Sequence, residues 1–264
     1  MSERTLTTVD GVRLAARADG PDRSPALLCC NSLGTGRELW DPQIDGWSEC
    51  RRVIRFDQRG HGASDVPDAP YRIDELGRDA LAVLDAYQVD QADLCGLSLG
   101  GVVALWLVSH HPDRVRRLVL ACTAAKVGTE QAWRTRADAV RNGGTDVIAD
   151  MVMERFFSAA FRQRDPDTVA RIRATLIATP DEGYIGSCLA LATADLREHV
   201  ATVRAPTLVL AGTADEATPP SVMRDLHAGI PVATWQELAG AGHLANLEVP
   251  AAFERAVHNH LDAD

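Results

Sequence analysis

Ser98 stands at the centre of Gly96-Leu97-Ser98-Leu99-Gly100, between the apolar run Ala92-Asp93-Leu94-Cys95 and the apolar run Gly101 to Val108. A serine hydroxyl attacks a carbonyl carbon only when it is held clear of its surroundings beside a base, and a strained strand-turn-helix corner flanked by small residues provides that. The string alone turns up by chance in roughly one chain in ten of this size. Its meaning comes from the strand before it and the helix after it. Such a serine also needs a base and a group to orient the base, arriving in the chain order serine, acid, histidine. Asp215 follows the apolar run Thr207 to Ala211 in Gly212-Thr213-Ala214-Asp215, and His243 sits in Gly240-Ala241-Gly242-His243. Asp215 could instead cap the next helix, and His243 could be an ordinary loop residue. Their joint occurrence, each after its own strand, favours an acyl-transfer triad of Ser98, His243 and Asp215.

The tetrahedral intermediate of acyl transfer needs two donors aimed at its oxyanion. The N–H of Leu99, at the start of the helix, is one candidate. The other is the N–H of Leu33 in Asn31-Ser32-Leu33-Gly34-Thr35-Gly36, whose glycines allow close backbone approach. No other histidine competes with His243. His110 and His111 end the helix that Ser98 opens, where a cation favourably meets the helix dipole, and His61 lies in the turn Asp57-Gln58-Arg59-Gly60-His61-Gly62, where its role is structural.

Positioning these groups requires a sheet. Leu6–Val9 and Val12–Ala18 alternate around Asp10-Gly11, which predicts an opening hairpin. Apolar runs at 26–30, 52–56, 92–95, 115–121, 206–211 and 232–235 are separated by segments long enough for crossover helices, including Ile73–Tyr87 with apolar residues at helical spacing. Between Lys126 and His199 the pattern turns helical throughout, with helices predicted over 130–141, 146–157, 166–178 and 182–192. The predicted organisation is an α/β core of residues 1–125 and 200–264 interrupted by a helical lid, 126–199, with a last helix over 250–261.

Composition excludes several classes. The 264 residues carry a net charge of −10, which argues against nucleic acid as partner and disfavours long-range attraction of anionic substrates. No apolar run reaches the length of a membrane span, and no apolar signal core follows Met1, so the expectation is a cytoplasmic protein without membrane contact. Six cysteines without metal-like spacing read as reduced core residues. No metal or cofactor is expected.

The elbow, the triad order and the lid resemble the α/β-hydrolases, which implies a mostly parallel eight-stranded sheet with an inserted helical lid. Four local strings are more specific: Asn31-Ser32-Leu33-Gly34 with Trp40-Asp41-Pro42-Gln43, Asp57 to Ser64, Cys95 to Gly101, and Ala211 to Pro220. Together they resemble the 3-oxoadipate enol-lactonases. That resemblance implies cofactor-free hydrolysis of a small enol-lactone in aromatic catabolism, with Ser98, Asp215 and His243 as its triad. An esterase, another lactonase or a cofactor-free perhydrolase would use the same machinery, and a ligand sensor on a hydrolase scaffold is a more distant alternative. The chain departs from the family pattern at Ala192 and Thr193, which stand where the family has an arginine and an acid in its fourth lid helix. A carboxylated substrate then needs another cation. Arg134, Arg136 and Lys126 are the candidates, with Trp133 expected to pack against the substrate ring.

Overall fold

A computed structural model of the chain describes residues 2–263. Eight strands form one sheet in the order β1-β2-β4-β3-β5-β6-β7-β8. The strands are β1 (Ser2–Thr7), β2 (Arg13–Asp19), β3 (Ala26–Cys30), β4 (Arg52–Phe56), β5 (Ala92–Leu97), β6 (Val115–Ala121), β7 (Thr207–Gly212) and β8 (Ala233–Leu238). The hairpin β1–β2 is antiparallel and joins β4 antiparallel; every pairing from β4 to β8 is parallel. Strands β3 and β5 are buried at every residue, as strands covered on both faces must be.

Helices α1 (Asp41–Ser48), α2 (Ile73–Ala86), α3 (Leu99–His110), α9 (Pro220–Gly229), α10 (Ala245–Glu248) and α11 (Pro250–Leu261) accompany the sheet. Between β6 and β7 lie α4 (Glu130–Gly143), α5 (Asp146–Phe156), α6 (Ala159–Arg164), α7 (Pro166–Ala178) and α8 (Asp181–Thr193). Four of these follow the predicted periodicity. The six-residue α6 is too short for a periodic signal; it is started by Ser158, whose hydroxyl accepts from the N–H of Phe161 at 3.2 Å.

Helix α3 is apolar on all sides because it lies between the sheet and α2. Its close seating depends on small residues: a Cβ at Gly77 of α2 would stand 1.9 Å from the Trp106 ring, and one at Gly100 would stand 2.0 Å from the carbonyl oxygen of Cys30. The first turn of α3 thus rests directly on the end of β3. All six cysteines are free; Cys50 is exposed and the other five are buried. No helix among the described residues is long and apolar enough to cross a membrane.

Gly100→Ala should be expensive, because its methyl meets backbone and α3 must lift off β3 to relieve it. The expected loss is about 2 kcal/mol or more, read as a Tm lowered by roughly 5 °C in calorimetry.

Candidate active site

Ser98 joins β5 to α3 with φ +57° and ψ −118°, a left-handed conformation that costs a non-glycine residue and persists only when its surroundings enforce it. The enforcement is visible. The Ser98 N–H donates to Ala121 O at 3.0 Å, and its carbonyl accepts from Thr123 Oγ1 at 2.7 Å and from the N–H groups of Gly101 and Val102 at 2.9 and 3.1 Å. A Cβ at Gly96 would stand 2.3 Å from Gly100 O, so the corner closes only with glycine there. The Leu99 N–H, first in the helix, is one of the donors that helical geometry leaves unpaired.

Asp215 lies beyond the end of β7 and His243 beyond β8, so the parallel strands bring both to the same edge of the sheet as Ser98. His243 Nδ1 and Asp215 Oδ2 are 2.9 Å apart, both side chains buried. Asp215 does not cap α9. Its Oδ1 accepts from the N–H groups of Ala217 and Thr218 at 2.8 and 3.0 Å, and its Oδ2 accepts from Thr218 Oγ1 at 2.7 Å. Burial alone would raise the Asp215 carboxyl, but the His243 imidazole and the Thr218 donors outweigh it and hold the group below its ordinary value. An ionised Asp215 fixes the His243 tautomer with its proton on Nδ1, leaving Nε2 free to accept.

The segment Asn31 to Thr35 is anchored residue by residue. Asn31 Nδ2 donates to Phe56 O at 2.7 Å and its Oδ1 accepts from Trp40 Nε1 at 2.8 Å; Ser32 O accepts from Thr35 Oγ1 at 2.8 Å. The Gly34 N–H donates to His61 Nε2 at 3.1 Å, while His61 Nδ1 faces Arg59 O at 3.2 Å. Both bonds are made by a neutral imidazole protonated on Nδ1, and burial lowers the His61 pKa accordingly. Arg59 in turn is clamped by Asp79 of α2 at 2.6 and 2.7 Å. The turn around His61 is therefore the scaffold of the Leu33 loop, and the Leu33 N–H has no hydrogen-bond partner among the described residues.

Ser98, His243 and Leu33 line one cavity of about 690 Å³, its open mouth included. Its walls include Trp133 and Arg136 of α4, Arg155 and Phe156 of α5, and Tyr184 of α8. Phe156 stacks on the His243 ring at 5.7 Å between centroids. Arg136 lies 4.8 Å over the Trp133 ring, and among the described residues neither Arg136 nor Arg155 is paired with a carboxylate. Burial pushes the Tyr184 phenol well above its ordinary pKa, so it remains a neutral hydroxyl.

Two of the cations expected at the cavity lie elsewhere. Arg134 bonds Glu130 at 2.8 Å one turn earlier on α4 and lines a separate surface depression near Pro70 and Thr193, and Lys126 pairs with Asp195 at 3.2 Å. On a helix, residues 134 and 136 differ by some 200° around the axis, so one facing the cavity turns the other away. Ala192 is buried, and Thr193 bonds back to its own helix at Leu189 O. Arg155 is the cavity cation that the sequence reading did not pick out. It is placed by a clip between distant parts of the chain: the buried Glu248 carboxylate accepts from Ser158 N–H and Ser158 Oγ, each at 2.7 Å, and Leu244 N–H donates to Phe156 O at 3.0 Å.

The fold and the site define the class. Residues 25–250 match the family described as alpha/beta hydrolase fold. The "3-oxoadipate enol-lactonase 2" of Acinetobacter baylyi is 41% identical over 96% of this chain and 94% of its own length, and the "3-oxoadipate enol-lactonase 1" of the same organism is 37% identical over 94% and 92%. The crystal structure of the enol-lactonase from Burkholderia xenovorans superposes with a TM-score of 0.96 at 37% identity, covering 98% of this chain and all of that one. The chain belongs to the α/β-hydrolase family, within it to the group of the 3-oxoadipate enol-lactonases, and is a hydrolase of the ester or lactone type.

A neutral buried His61 ties stability to pH. Its folded pKa lies below the unfolded value near 6.5, so the unfolded chain binds the extra proton and stability falls as pH drops below about 6.5. Denaturant melts at pH 7 and pH 5.5 should show a loss in the native protein that is smaller in His61→Gln by up to about 1.4 kcal/mol.

Proposed function

We propose that the chain opens 3-oxoadipate enol-lactone to 3-oxoadipate through an acyl-enzyme on Ser98, with the helices α4–α8 serving as the lid over the site. The observation that carries the choice of substrate is the pair of guanidinium groups, Arg136 and Arg155, standing without carboxylate partners in the cavity of a chain whose net charge is −10. A neutral ester or lactone would leave both without a counter-ion. A lactone bearing a carboxylate supplies one, and charge-assisted hydrogen bonds to guanidinium are the strong ones.

Ser98 Oγ adds to the lactone carbonyl carbon as His243 Nε2 takes its proton, and Asp215 stabilises the imidazolium that results. The oxyanion accepts from the N–H groups of Leu33 and Leu99. Collapse breaks the bond between the carbonyl carbon and the ring oxygen, which leaves as an enol with the proton from His243. Because acyl and leaving portions belong to one molecule, the opened chain stays attached to Ser98 while its enol becomes the ketone. Water, deprotonated by His243, then cleaves the ester and returns the proton to Ser98. An enol leaves more readily than an alcohol, so the second half of the cycle carries the larger share of the barrier. Trp133, Val152 and Phe156 supply apolar walls for the ring.

Ser98→Ala should abolish labelling by a fluorophosphonate and lower kcat/KM by on the order of 10⁴ or more. Asp215→Asn should keep the fold and lose about 10⁴ in kcat through the wrong imidazole tautomer. Retained turnover in Ser98→Ala rejects the acyl-enzyme.

Arg155→Gln and Arg136→Gln should each raise KM for the carboxylated lactone roughly 10- to 100-fold, while KM for p-nitrophenyl acetate stays within about twofold. Equal effects on charged and neutral substrates would reject the carboxylate role and leave a general esterase or lactonase.

A further inference from the structure

The side chain next to Leu33 has no place in the scheme so far. Ser32 is fully buried from solvent, its Oγ has no hydrogen-bond partner among the described residues, and the residue lines the cavity that holds Ser98 and His243. Its neighbours in the loop are engaged: Asn31 by Phe56 and Trp40, Gly34 by His61, and Thr35 by the carbonyl of Ser32 itself. Those bonds fix the backbone on both sides of Ser32, so the residue is held at the cavity wall by a rigid support. Buried hydroxyl groups in folded proteins are almost always satisfied, and one left open at a reaction cavity is satisfied by what binds there. Ser187, another buried serine without a partner, lies within α8 and does not line the cavity.

We infer that the Ser32 hydroxyl is a third donor to the acyl oxygen, acting with the N–H groups of Leu33 and Leu99 on the oxyanion that forms when Ser98 adds to the carbonyl. The inference rests on the proposed acyl-enzyme. One chain bond separates the residue bearing the hydroxyl from the Leu33 N–H, so the two donors approach the same oxygen from one loop, while Leu99 approaches from the helix. The hydroxyl keeps its proton throughout; it donates a hydrogen bond that strengthens as the carbonyl oxygen gains charge. A donor of this kind acts in the transition state more than in the ground state, so its loss falls on kcat.

The test uses Ser32→Ala and the near-isosteric Ser32→Cys, whose thiol is a weak donor. Three substrates are compared: the carboxylated enol-lactone, a saturated neutral lactone and p-nitrophenyl acetate. Both variants should lose about 10- to 100-fold in kcat on all three, below or at the lower end of what removal of an oxyanion donor costs, with KM within about threefold. Inhibition by phenylboronic acid, which forms a tetrahedral adduct on the serine, should weaken by a comparable factor. Thermal melting checks that each variant is folded, and the cysteine variant preserves the packing if the alanine variant does not. A kcat within twofold of the parent in either folded variant overturns the inference, as does a loss carried by KM alone. A loss seen only with the enol-lactone also overturns it, because that assigns the hydroxyl to the leaving oxygen. If Ser98→Ala is inactive while the Ser32 variants are fully active, this inference fails alone; if Ser98→Ala turns over, the acyl-enzyme fails first.

Discussion

The contact between the first turn of α3 and the last residue of β3 governs the arrangement of the site. With Gly100 pressed against the Cys30 carbonyl, the helix start and the loop that leaves β3 share one small volume, and the unpaired N–H groups of Leu99 and Leu33 enter it from two sides. At this close junction of β5 and α3 the chain passes through a left-handed residue, Ser98. The strain is carried by ordinary backbone and Thr123 hydrogen bonds. In the proposed acyl-enzyme mechanism, a corner held this way has no need to reorganise when a tetrahedral centre forms over it, which is the condition under which fixed dipoles stabilise charge most effectively.

Electrostatics then divide into two scales. The chain as a whole is acidic, and most of its arginines are taken up by carboxylates, some buried, as in Arg59 with Asp79 and Arg55 with Asp19. The first pair anchors the turn around His61 to α2, and the second ties β4 to the end of β2. Against that background, two arginines without carboxylates are informative because both line the cavity that holds Ser98 and His243. The long-range field of an acidic protein repels an anion only weakly at physiological ionic strength, since charges more than about 8 Å away are screened, whereas a guanidinium in contact is not.

Much of the sheet was legible in the sequence because strand cores are local: five- to seven-residue apolar runs bounded by turn residues, with the β1–β2 hairpin marked by Asp10-Gly11. The positions of Ser98, Asp215 and His243 after their strands were legible for the same reason. Arg134 and Arg155 were harder because the facing of a helical side chain depends on how its helix is rotated, and α5 takes its orientation from Glu248 and Leu244, some 90 residues further along the chain. Nothing within Asp146–Phe156 encodes that partner. The open hydroxyl of Ser32 was equally hidden, since a serine in a loop carries no sign of whether its oxygen meets a carbonyl or a cavity until the neighbours are in place.

The distribution of thiols has a practical side. Five of the six are enclosed, and burial raises the pKa of each of Cys29, Cys30, Cys95, Cys122 and Cys188, so maleimides and other thiolate-seeking reagents have little to attack there. Cys50 is the exposed one, and it precedes the first residue of β4, at the end of the sheet opposite the strand ends that carry Ser98, Asp215 and His243. The protein therefore comes with a single chemical handle on its far side, through which a dye or a solid support can be attached while the mouth of the cavity faces the solution.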